Sequence, residues 1–318
     1  MKPAIMDRAW RRESSLRAAR FLAILVFAGA AVAALAGLLT EGRKGAPETA
    51  LSSWGQEIRL DGRGVYRRDS FSGAAQERAQ DLVTLVFALP LLATGWALSR
   101  RGGAGARLLL GGALGYFAYC YGMMAVATAY NGLFLLYVAL FATSLWGLAL
   151  ALSSVDADEL ATRCAASFPR RSAVAVCLMV GAFLGLAWVG GRVLPALNRG
   201  RPPEGLEAYT TLAVQAFDLG ILVPAALVSA FWLLRRDPRG FLLGSVLLVK
   251  GAAEGLAVSA MGLNMLRTGA AGAESLPMLA VFIGLAAAAL AVGTRAVRSA
   301  GLRIPGSADA SMARGEGR

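Results

Sequence analysis

Residues 21–39 carry the apolar run FLAILVFAGAAVAALAGLL, which contains no charged side chain. At about 1.5 Å per residue, a helix of this length comes close to the ~30 Å thickness of the hydrocarbon core of a bilayer. A cleaved signal peptide is the alternative interpretation, but its apolar region is normally about 7–15 residues long. The run therefore favours an uncleaved transmembrane helix.

Further apolar runs of similar length follow along the chain. They cover 82–98, 108–128, 132–152, 172–190, 211–234, 241–263 and 276–297. Hydrophobic residues make up 57% of the 318 residues, whereas soluble domains have about 45–50% on a similar count. The sequence therefore predicts an all-α fold, a polytopic transmembrane helix bundle of about eight spans.

The net charge of +12 comes from an excess of lysine and arginine, and the positions of these residues along the chain indicate the orientation in the membrane. They cluster at the ends of the apolar runs, which is typical of topology signals at a membrane surface and not of a nucleic-acid-binding face. We therefore predict that both termini are cytoplasmic (N-in, C-in), in the cytoplasmic (inner) membrane of a bacterium, and we expect no nucleic-acid partner. The short loops that this orientation places inside carry Arg100, Arg101 and Arg107; Arg163, Arg170 and Arg171; and Arg235, Arg236 and Arg239.

The sequence contains no histidine. This excludes most haem ligation, histidine-based zinc sites and Ser-His or Cys-His catalysis. The spacing of Cys120, Cys164 and Cys177 suggests no metal site. We therefore expect neither a metal nor a cofactor.

Three parts of the chain are predicted: a basic cytoplasmic N-terminus at 1–20, a transmembrane domain at 21–298 and a disordered cytoplasmic tail at 299–318. The transmembrane domain includes an extracytoplasmic loop at 40–80. In this loop, polar and apolar residues alternate over 57–60, before Asp61-Gly62, and a second short segment follows at 65–67, which predicts a short hairpin. Trp54, Tyr66 and Trp188 are interpreted as anchors at the membrane interface.

A weak internal similarity relates runs two and three to runs six and seven. Asp81 and Pro90 precede a basic pair in one, as Asp218 and Pro224 do in the other. A four-plus-four parallel repeat, with its axis along the membrane normal, is one explanation. The other is that apolar helices resemble each other in composition alone.

Three ionisable residues lie inside predicted spans. Placing such a group in the membrane costs free energy, and the residues found there are usually functional. Lys250 and Glu254 are four residues apart, so they share one helix face. Asp218 lies at a similar depth in the preceding span. One lysine and two carboxylates sum to −1 when all are ionised, so we expect a proton, a bound cation or water at this site.

Neighbouring polar residues could line the same site. Tyr116 and Tyr119 fall at similar depth in the third span, and Gln215 lies on the same stripe as Asp218. The alternative is structural: Lys250 pairs with one carboxylate and fixes helix register without any ligand.

The start of the second span carries Asp81, Gln76 and Gln80, which could line an entrance. A solvated helix end is the other account of these residues. Asp81 or Glu77 could also serve a membrane enzyme that acts on a lipid-linked substrate. Without histidine or a metal motif, the sequence favours this hypothesis least.

Several stretches resemble a family of bacterial multi-pass inner-membrane proteins, over about 54–261. The resemblance implies a bacterial membrane protein and supplies no catalytic residues, because no activity is established for that family. The stretches that carry it are Gly64-Val65-Tyr66-Arg67-Arg68-Asp69-Ser70, Asp81-Leu82-Val83-Thr84-Leu85, Tyr130-Asn131-Gly132-Leu133-Phe134 and Gln215-Ala216-Phe217-Asp218-Leu219.

The leading hypothesis from the sequence is a small secondary transporter or ion-coupled permease that handles a small ion or metabolite at Asp218, Lys250 and Glu254. No Gly-rich loop ends in Lys-Ser or Lys-Thr, so coupling would be to a gradient or a partner subunit. The second hypothesis is a non-catalytic membrane subunit or assembly factor, which docks a membrane protein partner through the 40–80 loop. In either case the chain's principal surroundings are the lipid bilayer.

Overall fold

The computed structural model describes residues 2–40, 42, 48–203 and 205–302. Among these residues, eight helices are long and apolar enough to cross a membrane, so the predicted all-α transmembrane bundle is confirmed. We number them spans one to eight. They run Asp7–Leu39, Phe71–Ser99, Ala104–Ala127, Phe134–Ser153, Arg170–Arg199, Ala213–Leu234, Pro238–Thr268 and Ala273–Ser299.

The helix of span one begins well before its apolar run. It extends over Lys2–Leu39, so the basic N-terminal segment continues the span as one helix. Contacts along the helix support this extension, because Arg11 pairs with Asp7 and Arg20 with Glu13. The predicted tail at 299–318 lies mostly outside the described residues.

The spans form two rings of four. In each half every span packs against the next one in sequence, and the fourth packs back against the first. Spans three and seven meet between the two rings, and each also contacts the second span of the opposite ring. This is the neighbour order that a four-plus-four repeat predicts, and the duplication itself stays a prediction.

Small residues allow the central spans to approach closely. A Cβ added at Gly95 would lie 2.9 Å from the Cα atom of Leu110, and one added at Gly255 would lie 2.7 Å from the Cβ atom of Ala286. Such contacts let helix backbones pack where lipid supplies no hydrophobic driving force. Span three is consequently the most enclosed, with 78% of its apolar window buried.

Three spans contain a π-helical turn, and each turn precedes a proline. The turns are Thr84–Ala88, Leu186–Val193 and Asp218–Leu222, and the prolines are Pro90, Pro195 and Pro224. A proline inside a helix lacks the N–H donor, and its ring clashes with the carbonyl four residues earlier. The widened turn relieves this clash and shifts the register of the side chains that precede it.

The loop between spans one and two is folded differently from the prediction. A two-stranded antiparallel sheet pairs β1 (Thr49–Leu51) with β2 (Glu57–Arg59), and Gly64–Tyr66 forms a 3-10 turn. The predicted hairpin around Asp61-Gly62 is therefore wrong. The Asp61 side chain, which would lie in an exposed turn, is instead buried against span two.

Outside the spans, a short helix covers Ala157–Cys164 between spans four and five, and it packs on span seven. Asp156 caps it by accepting hydrogen bonds from the backbone N–H groups of Asp158 and Glu159. The same carboxylate pairs with Arg12 of span one. These contacts join the two rings at the face opposite the loop.

Candidate intramembrane site

Lys250 and Glu254 form an ion pair inside span seven. Their Nζ and Oε2 atoms are 3.6 Å apart, and the side chains are only 6% and 13% exposed. This distance is too long for a hydrogen bond. Neither atom has another hydrogen-bond partner in the part of the chain that the structure describes. The pair thus retains an unused hydrogen-bond donor and an unused acceptor in apolar surroundings, where burying such groups costs free energy.

Tyr119 of span three lies between the lysine and the second carboxylate. The Lys250 Nζ atom is 3.8 Å from the centre of the Tyr119 ring, a cation–π contact. The Tyr119 hydroxyl donates a 2.6 Å hydrogen bond to Oδ1 of Asp218. One aromatic side chain therefore contacts Lys250 and Asp218, and Lys250 in turn pairs with Glu254.

Asp218 is 5% exposed, and both of its carboxylate oxygens accept hydrogen bonds. Oδ1 is bonded by Tyr119, and Oδ2 accepts a 2.8 Å bond from the indole N–H of Trp188. The two sides of this second bond come from π-helical turns, one in span five and one in span six. The geometry of Asp218 thus depends on the backbone irregularities that Pro195 and Pro224 accompany.

The pair borders a cavity of about 90 Å³ between spans five, six, seven and eight. Lys250 and Glu254 are its charged lining residues, and most of the rest are aliphatic, such as Val180, Leu222 and Ala286. A space of this size holds a few water molecules or one small solute when polar partners are present. The open contacts of the ion pair are thus next to a space that a ligand could occupy.

Two of the predicted lining residues lie elsewhere. The Tyr116 hydroxyl is fully buried and lies 3.3 Å from the hydroxyl of Thr84 in span two. Gln215 lines a separate cavity of about 80 Å³ together with Tyr209. Of the predicted lining side chains, Tyr119 is the one in contact with the ionisable groups.

The predicted entrance residues lie within span two, largely away from water. Asp81 and Gln80 are 2% and 5% exposed. The amide of Gln80 donates to the Cys120 thiol at 2.8 Å, and Gln76, which is partly buried, bonds the backbone of its own helix at Ser72. The structure brings none of the three into contact with Lys250 or Glu254.

Sequence reasoning missed a second polar cluster, which we call the loop-side cluster: Asp61, Arg78, Tyr66 and Asp81. Arg78 donates to both oxygens of Asp61, at 2.9 and 2.5 Å. The Tyr66 hydroxyl donates to Asp81 at 2.7 Å. Burial raises the pKa of Asp61, but the hydrogen bonds and charges of Arg78 and Arg63 outweigh burial, so the pKa lies below its usual value.

Asp69 fastens the same loop to the end of span three. Its Oδ1 atom accepts a 2.7 Å hydrogen bond from the backbone N–H of Ala129, while Oδ2 is buried without a partner among the described residues. Burial is the main cause that raises the pKa of Asp69 to about 7, against the lowering effect of that hydrogen bond. Nearby, Glu77 accepts from the Thr128 hydroxyl at 3.0 Å.

Comparison with protein-family models, with curated proteins and with solved structures finds no match. Within the described ranges, no three His, Cys, Asp or Glu side chains lie close enough together to hold a metal ion. What the fold defines is a multi-pass membrane protein with a buried site of two acids, one lysine, a tyrosine and a tryptophan.

Proposed function

We propose that this protein is a small secondary transporter or ion-coupled permease, and that Asp218, Lys250 and Glu254 are its coupling site. The observation that carries the proposal is the Lys250–Glu254 pair, which is held at 3.6 Å with unused hydrogen-bonding capacity beside a cavity. Ionisable groups inside a membrane are typical of ion pathways and proton relays.

Each group has a role in this proposal. Glu254 takes up a proton or a cation, because its Oε2 atom receives no hydrogen bond from the residues that the structure describes. Lys250 is the counter-ion, and it is freed to hold an anionic substrate group when Glu254 is neutralised. Asp218 is the second carboxylate, and Tyr119 and Trp188 hold it in place.

The π-helical turns provide an element that can change between two arrangements. Spans five and six each break the regular helix near the middle of the site. Transporters commonly place such interruptions at the substrate site, where the backbone can bend about them. A change of register in these turns would move Trp188 and Asp218 together.

The ligand test is a thermal melt of the purified protein in detergent. The conditions compare sodium, potassium and choline chloride from pH 5 to 8, together with a panel of small metabolites. A ligand at a hundred times its dissociation constant adds about 2.7 kcal/mol of stability. We expect one condition to raise the midpoint of the wild type and to leave Glu254→Gln and Asp218→Asn unchanged.

The control is Glu159→Gln, which neutralises an exposed acid on the short helix outside the spans. It is expected to respond as the wild type does. Flux of the stabilising ion or metabolite into proteoliposomes then measures transport. Wild-type flux in both intramembrane variants would overturn the proposal.

A second candidate is a non-catalytic subunit that docks through the loop. The observation in its favour is that Leu51 of β1 and Trp54 of the turn between β1 and β2 are 76% and 48% exposed. Leu51→Ser with Trp54→Ser should then abolish co-purification with a membrane partner while the melting midpoint stays unchanged. Retention of the partner would remove this candidate.

The orientation is also part of the proposal: both termini in the cytoplasm of a bacterium, supported by the basic loops. Reporter fusions at the two ends and in the 40–80 loop test it. Activity of a cytoplasmic reporter in the loop would show that the orientation is the reverse of the proposed one.

A further inference from the structure

An open cleft of about 420 Å³ lies on the loop face of the molecule, away from the intramembrane site. One wall is the turn after the small sheet, and the other is the connection between spans three and four. We call it the Arg67–Arg68 cleft. Its lining residues are Gly64, Val65, Arg67 and Arg68 on one wall and Tyr130, Asn131, Gly132 and Leu133 on the other.

Around the cleft, two acids point inward and two adjacent arginines point outward. Asp61 and Asp69 are 8% and 6% exposed, and both are engaged inside the protein. Arg67 and Arg68 are exposed, and their guanidinium groups make no hydrogen bond or ion pair within the described part of the chain. The wall that contains Arg67 and Arg68 therefore presents positive charge at the cleft.

The cleft is fixed before any ligand binds. The backbone N–H of Val65 donates to the Thr40 hydroxyl at 3.1 Å, and Asp69 is bonded to the backbone of Ala129. Tyr66, which lies between Val65 and Asp69 in the sequence, is fully buried. A rigid backbone lowers the entropy that binding must overcome.

The position and chemistry of the cleft indicate one kind of ligand. Adjacent guanidinium groups match the oxygen atoms of a phosphate. Tyr130 is 73% exposed, and Leu135, one turn into span four, is 77% exposed and apolar, as expected of a lipid-facing residue. An aromatic side chain next to lipid-facing leucine marks the depth of the phospholipid headgroups.

We propose that the Arg67–Arg68 cleft binds the phosphate of an anionic phospholipid headgroup. Arg67 and Arg68 hold the phosphate oxygens, and Tyr130 covers the headgroup from the opposite wall. The bound lipid joins the loop to the membrane surface at the start of span four. This inference does not depend on the transport proposal, because none of these residues contacts the intramembrane site.

The test is native mass spectrometry of the full chain in detergent with phosphatidylglycerol or phosphatidylcholine. The variant is Arg67→Gln with Arg68→Gln. The matched control is Arg100→Gln with Arg101→Gln, an exposed arginine pair at the other end of span two. At about 1 kcal/mol for each arginine, the cleft variant should bind phosphatidylglycerol roughly thirtyfold more weakly than the wild type.

The control pair and phosphatidylcholine should show no such difference. Equal losses in the cleft variant and in the control would mean generic attraction to charge, and would overturn the proposal. Inorganic phosphate distinguishes the source of the phosphate. The phosphate concentration is about 10 mM, roughly tenfold above a millimolar dissociation constant. A rise in the wild-type melting midpoint with this phosphate, absent with phosphatidylglycerol, would overturn the lipid assignment in favour of a soluble ligand.

Discussion

The loop-side cluster and the intramembrane site each contain a buried ion pair, but the two pairs differ in their hydrogen bonds. In the first, Arg78 makes two hydrogen bonds to Asp61, and Arg63 adds a third at 3.0 Å. In the second, Lys250 and Glu254 are 3.6 Å apart and share no hydrogen bond. A buried pair whose charged groups are joined by hydrogen bonds fixes structure, whereas a pair that shares none has capacity left for a ligand.

The largest expected effect is loss of the hydrogen-bonded pair between Arg78 and Asp61. Arg78→Ala leaves Asp61 buried with its charge only partly compensated, which costs about 3–5 kcal/mol of unfolding free energy. Thermal melts in detergent measure it. The matched control is Arg163→Ala, which breaks an exposed pair with Glu159 and should cost about 0.5 kcal/mol or less. Similar midpoints for the two variants would remove the distinction between the clusters.

The second effect concerns the close approach of span one to the loop-side cluster. A Cβ atom at Gly37 would overlap Oδ2 of Asp81 and lie 2.9 Å from the Tyr66 hydroxyl. Gly37→Ala should therefore break the 2.7 Å hydrogen bond between them and cost about 1–3 kcal/mol. Gly284→Ala, in open space on span eight, is the control and should be neutral or stabilising by up to about 1 kcal/mol, because alanine is the better helix former. A neutral Gly37→Ala would show that span one can move away freely.

The third effect is a dependence on pH. The pKa of Asp69 is about 7 in the folded protein and 3.8 when unperturbed, so the folded state holds the proton more tightly. Stability is then fully present below about pH 4 and falls as the pH rises towards 7, by at most about 1.4 kcal/mol per pH unit for one proton. Asp69→Asn keeps an acceptor for the Ala129 N–H and should flatten this slope in melts from pH 4 to 8. An unchanged slope would assign the pH dependence to another group.

The sequence was sufficient for the spans, because a membrane helix is specified by length and hydropathy along one dimension. It underestimated their ends, since polar residues continue several helices: run 241–263 belongs to a helix over Pro238–Thr268. The loop was harder. The prediction of a hairpin around Asp61-Gly62 was wrong because the buried Arg78 binds Asp61. The local sequence pattern contains no signal for a partner 17 residues away.

At the intramembrane site, spacing placed Lys250 and Glu254 on one face, where the structure has them. The contact of Asp218 with Trp188 could not be predicted, because both residues lie in π-helical turns, which depart from the regular helical register. The prolines that follow were the available signal. Tyr66, interpreted as an interfacial anchor, is buried because its hydroxyl has Asp81 as a partner.

The smallest expected effect separates the two clusters most sharply. Lys250→Met with Glu254→Met replaces the open pair by apolar groups of similar size, and replacing a buried ion pair in this way is often neutral or stabilising. The unfolding free energy should change by about 1 kcal/mol or less, while any stabilisation by ion or metabolite disappears.

The corresponding double change in the loop-side cluster is Arg78→Met with Asp61→Leu. It removes the acceptor of the Arg63 backbone N–H, at 3.1 Å, along with the ion pair. A lost buried acceptor leaves a donor to be satisfied elsewhere, so this variant should remain destabilised by about 2 kcal/mol. Paired melts of the two double variants, each with and without the stabilising ligand, decide the matter. If the intramembrane double variant instead loses as much stability as the loop-side one, Lys250 and Glu254 hold the helices together, and the open contacts between them have no bearing on transport.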